Sequence, residues 1–147
     1  MLDTGSGAIA RSVEARLPEL FDRGDARHLV IAMHHPPYAG LTGAGWSRED
    51  RAQRLLAEAA IAQADLIVAG HAHSLRDFPK VAVGDAELRQ VIVGTAGAYQ
   101  GIGEPRFGYL RVTFGASEPQ TCFVEVPPPG FSGPTEQGLS GRLPYCE

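Results

Sequence analysis

The chain has 147 residues, 44% of them hydrophobic and 20% charged, with a formal net charge of −4; this is the balance of an ordinary globular domain long enough for one core. Lys80 is its single lysine and no basic cluster occurs, which argues against a nucleic-acid surface. No apolar run approaches the roughly 20 residues of a membrane span.

Leu2-Asp3-Thr4 reads as the end of a strand. Over residues 5–23 the apolar positions Ile9, Val13, Leu17 and Leu20 fall at helical spacing, with a break or kink expected near Pro18, whose ring removes a backbone donor. Past the turn Gly24-Asp25, the β-branched run at 29–32 predicts a buried strand, and residues 66–68 predict a second. Between them lies a helix with Ser47 as N-cap, Glu49 and Asp50 in its first turn, and an apolar face of Ala52, Leu55, Leu56, Ala59 and Ala60. Strand, helix, strand is a crossover unit, so the two strands should run parallel. Residues 80–83, the turn Gly84-Asp85 and residues 87–93 suit a hairpin. A glycine-rich loop over 94–105, with Tyr99, is long enough to line a site, and residues 107–114 and 121–126 should pair across a turn at 115–119. Residues 127–147, rich in proline and glycine, read as a tail. Cys122 and Cys146 either close that tail with a disulfide, as would suit an exported protein, or stay as a buried and a free thiol.

Four of the five histidines fall in two stretches, Met33-His34-His35-Pro36-Pro37-Tyr38 and Ala69-Gly70-His71-Ala72-His73-Ser74. Each follows one of the two apolar runs, so both clusters should lie at the carboxyl ends of parallel strands, the edge where open α/β sheets place ligands. Neutral imidazole is the commonest protein ligand for zinc and is frequent for other transition metals, and a strand end mounts it rigidly. His34, His71 and His73 are therefore candidate metal ligands, and His35 and Tyr38 candidate substrate contacts. His28 precedes its strand, at the wrong end, and is expected to be an ordinary hydrogen-bonded residue. Residues 41–46 could rim the site or simply connect elements.

At these residues the sequence resembles the calcineurin-like metallophosphoesterases, the superfamily that includes purple acid phosphatases and cyclic-nucleotide phosphodiesterases. Met33-His34-His35-Pro36 and Gly70-His71-Ala72-His73 match the late motifs of that family, in order and with the expected helix between them. The resemblance covers residues 1–126 and implies the carboxyl-terminal half of a two-sheet αββα sandwich, within the α/β class. It also implies two metal ions, iron, manganese or zinc, with His34 and His71 on one and His73 on its neighbour, acting on a phosphate ester. The family's early motifs, Asp-x-His, Gly-Asp-x-x-Asp and Gly-Asn-His-Asp/Glu, do not occur, and the chain contains no asparagine. Asp65 should start its strand at the opposite edge, and Asp77 and Asp85 should be solvated, so none obviously replaces the missing ligands. The expectation is a truncated chain with half a site, or a half-domain completed by another polypeptide.

Three rivals stand beside this reading. Leu2-Asp3-Thr4-Gly5-Ser6 is similar to the motif of aspartic proteases, but no second Asp-Thr/Ser-Gly occurs to share a proton. Three histidines alone would suit a mononuclear zinc site with an open water position. A non-catalytic interaction module would keep the histidines as relics.

Overall fold

Residues Val30–Met33 (β1) and Leu66–Ala69 (β2) are apolar on both sides, a pattern that requires cover on both faces of a sheet. The computed structural model describes residues 2–4, 9–37, 49–94, 107–126 and 146, and in it these strands pair in parallel, Val30 opposite Leu66 and Met33 opposite Ala69. The helix between them, Glu49–Ile61 (α3), buries Ala52, Leu55, Leu56, Ala59 and Ala60, the face its sequence predicts. Ser47 lies outside the described residues. Side chains along a strand alternate between faces. Accordingly Ile31, Met33, Ile67 and Ala69 share one core with Leu55, Leu56 and Ala59, while Val30, Leu66 and Val68 belong to a second core.

Two further strands extend this sheet. Gln90–Val93 (β6) runs parallel to β2, and Leu75–Asp77 (β3) pairs antiparallel with β6, giving the order β1-β2-β6-β3. Beyond β1, Leu2 forms a parallel bridge with Met33 and its N–H donates to the Ala32 carbonyl at 2.7 Å, as expected for a strand end. The second core is closed by the antiparallel pair Gly108–Thr113 (β7) and Gln120–Glu125 (β8), whose fully buried Phe123 packs with Leu66, Leu75 and Val91. Gly108 permits that pairing, since a Cβ there would collide with the Val124 carbonyl oxygen.

The remaining elements refine the sequence reading. The segment around Pro18 is two short helices, Arg11–Glu14 (α1) and Leu17–Leu20 (α2). The break precedes Leu17, and Pro18 sits in the first turn of α2, where a missing N–H costs nothing. The hairpin expected over 80–93 is shorter. Val81–Val83 (β4) and Ala86–Leu88 (β5) pair across Gly84-Asp85, with Gly84 at φ +61°, and pack toward α3. The chain then changes sheet at Arg89, whose carbonyl accepts from the Ile67 N–H at 2.8 Å while its guanidinium binds Asp77, Thr121 and the Pro119 carbonyl. Cys122 and Cys146 form a disulfide with Cα atoms 5.1 Å apart. Residues 127–145 lie outside the described residues. Among those described, no helix is long and apolar enough to cross a membrane. The fold is mixed α/β, its few helices set against small sheets.

Candidate metal centre

The parallel register brings the exits of β1, β2 and β6 to one edge. Thr4, fully buried, arrives there beside β1, and its hydroxyl oxygen accepts the N–H of His34 at 3.0 Å and that of His35 at 2.7 Å. Neighbouring residues of a continuing strand would point to opposite faces; the bend held by Thr4 lets both rings serve one site. The exits are stitched together by the Gly70 N–H donating to the His34 carbonyl at 3.0 Å.

Beyond β2 the chain turns tightly. The Ala72 N–H donates to the Gly70 carbonyl at 2.7 Å, a three-residue turn centred on His71, whose φ is +58°; His73 follows at +30°. Left-handed backbone at residues other than glycine costs about 1–3 kcal/mol each and clusters at functional sites. The loop is braced from β6, because Gly94 donates to the Ser74 carbonyl at 2.9 Å. Only glycine fits there, since an added Cβ would lie 2.6 Å from the His73 nitrogen and 2.9 Å from its Cα.

The result is a cluster of three imidazoles, His34, His35 and His71, each offering a ligand atom, all within 4.8 Å of one another. The His71 Nδ1 and His34 Nε2 atoms are 3.1 Å apart, and the His35 and His71 ring centroids 4.0 Å. Two imidazole nitrogens on a tetrahedral zinc, at ~2.0 to 2.1 Å from it, sit about 3.3 to 3.4 Å apart. The His34–His71 pair, joined at 3.1 Å by a hydrogen bond between ring nitrogens, lies a few tenths of an ångström inside that spacing. His35 is 4% exposed and its Nδ1 has no hydrogen-bond partner, a state that costs about 1–3 kcal/mol if nothing binds the atom. Burial pushes the pKa of His35 below the usual imidazole value; a backbone hydrogen bond with Thr4 opposes this and the charge of His34 adds to it. His71 is lowered as well, first by burial and then by the charges of His35, His34 and His73. Both shifts favour the neutral ring, which is the form that binds metal.

The candidate residues thus separate. The structure brings His34 and His71 together and adds His35, assigned from sequence to substrate contact; His73 is exposed and is not one of the three. No carboxylate of the described residues joins the cluster. Asp65 lies at the opposite edge, accepting the Leu29 N–H at 2.8 Å, with Arg23 at 3.8 Å and His28 at 3.6 Å. His28 is also held there by a 2.9 Å hydrogen bond with the Gly115 carbonyl, in keeping with an ordinary role. Asp85 is exposed in its turn, but Asp77 is not a free surface group: it is part of β3 and paired with Arg89. Tyr38, residues 41–46 and residues 95–105 lie outside the described residues. Thr4 and Gly94 were not singled out from sequence, and a lone threonine or glycine gives no local signal of what approaches it in space. No protein-family model matches the chain, and no curated protein matches it.

Proposed function

We propose that this chain is the carboxyl-terminal half of a metal-dependent phosphoesterase of the calcineurin-like kind, with the two-sheet αββα sandwich as its complete fold. The observation that carries the reading is the 3.1 Å approach of His34 and His71 at the exits of adjacent parallel strands, within His-x-Pro and Gly-His-x-His motifs in family order. Metal ions held by these histidines would supply polarisation of a phosphoryl oxygen and activation of water for its displacement. The chain's own contribution is to hold neutral imidazoles on a rigid edge. Burial at His35 and His71 favours that neutral form, and the Thr4 hydroxyl and Gly94 contact brace the two exits. The family motifs that carry the carboxylate and amide ligands of such a site do not occur in this sequence, and on this reading they would come from a preceding half, in one longer chain or a second polypeptide. The Cys122–Cys146 bridge fits an exported protein, since disulfides persist in oxidising compartments.

The test is hydrolysis of chromogenic phosphate mono- and diesters, with zinc, manganese or iron added, by this chain and by a chain extended with the upstream coding sequence. Metal-dependent turnover by the extended chain, lost in His71→Ala, supports the reading. No turnover under any metal, or turnover untouched by His71→Ala, refutes it.

A further inference from the structure

Two adjacent histidines that left a regular strand would point apart. Here the double hydrogen bond to the Thr4 hydroxyl bends the chain at the end of β1, and both His34 and His35 come within ligand reach of His71. His35 is the buried member, and among the described residues its Nδ1 is the buried ring nitrogen at this edge with no hydrogen-bond partner. A buried polar atom without a partner calls for an explanation, and an ion is one.

From this geometry we infer that the chain by itself holds one zinc ion on His34, His35 and His71, with His35, and not His73, as the third ligand. The inference rests on the reading of this edge as a metal centre, and it changes the ligand set. Three neutral imidazoles without a carboxylate select zinc, cobalt, nickel or copper over magnesium, calcium or manganese. Zinc takes four ligands, so one position stays open to water or to an anionic group such as a phosphate ester.

The experiment is zinc titration of the 147-residue chain and of its His35→Ala and His73→Ala variants, with cobalt absorption as a spectroscopic check. One zinc per chain is expected. His35→Ala should weaken binding by more than about 100-fold, beyond the ~10–100-fold that loss of an outer hydrogen-bond partner causes. His73→Ala should leave affinity unchanged. Because His35 is buried, its removal can unfold the edge, so X-ray absorption of the zinc-loaded wild-type and His73→Ala chains supplies a second readout. Three imidazoles per zinc in both supports the site. Two zinc ions per chain, an imidazole lost in His73→Ala, or His73→Ala weakening zinc as much as His35→Ala overturns it. An extended chain that fails to hydrolyse phosphate esters, while this chain keeps its His35-dependent zinc, would end the phosphoesterase reading and leave the site intact.

Discussion

Replacing Thr4 with valine isolates the contact that shapes the site, because valine nearly matches threonine in volume and removes only the hydroxyl. That oxygen accepts two backbone N–H groups, from His34 at 3.0 Å and His35 at 2.7 Å. The hydrogen bond to His35 is buried, so its orphaned N–H should cost about 1–3 kcal/mol; the one to His34 is partly exposed, and water there limits the added loss to about 1 kcal/mol. Thr4→Val should therefore destabilise the chain by about 2–4 kcal/mol. With a urea m-value of about 2 kcal/mol per molar, the middle of the range for small proteins, the unfolding midpoint should drop by about 1–2 M. Thr4→Ser keeps the acceptor and loses one methyl group, about 1 kcal/mol. Urea unfolding of the three proteins, followed by zinc titration, should rank both stability and affinity as wild type, serine, valine. A valine variant within about 0.5 kcal/mol of wild type, the range of inconsequential surface changes, would refute the role given to Thr4. So would a serine variant as damaged as the valine one.

Gly94→Ala should cost about 1–3 kcal/mol, because the new Cβ would meet the backbone of His73 at 2.6 Å and no rotamer change relieves it; an unchanged urea midpoint would show that the 71–74 loop yields freely. With metal chelated, stability should depend on pH in a definite direction. His35 and His71 have lowered pKa values, so between those values and the usual ~6.5 the unfolded chain binds more protons than the folded one. Their contribution is complete above about pH 6.5 and is lost as pH falls toward the folded values, so unfolding at about pH 5.5 should need less urea than at about pH 7.5; the reverse order would contradict the burial of these rings. Reducing the Cys122–Cys146 bridge, which spans 24 residues, should cost about 3.5 kcal/mol on the loop-entropy model, read as a lower thermal midpoint with reductant. No shift would mean that the tail adds no constraint to the unfolded chain.

Much of the site's placement was legible because it depends on local pattern. The apolar runs of β1 and β2, the helical face from Ala52 to Ala60 and the crossover rule together put both histidine clusters on one edge. The pairing of β7 with β8 was legible for the same reason. What escaped depends on distant parts of the chain. Residues 87–93 read as one strand because nothing local to Arg89 announces that its guanidinium anchors to Asp77 and Thr121 while the backbone changes sheet. Leu75–Asp77 is too short to show a period, so Asp77 looked like a loop carboxylate when it is a strand residue in an ion pair. His35 and His73 each lie within two residues of His34 or His71 in sequence. That His35 and not His73 clusters with that pair follows from the Thr4 hydroxyl and the left-handed turn at His71, neither of which a motif spacing encodes.

The central claim, that a metal binds at the shared exit of β1 and β2, is tested most directly by anomalous diffraction from a zinc-loaded crystal of the chain. The expected result is a peak ~2.0 to 2.1 Å from both His34 Nε2 and His71 Nδ1, the pair now 3.1 Å apart. Zinc bound only elsewhere, with those two nitrogens bonded to each other through a proton, would contradict it.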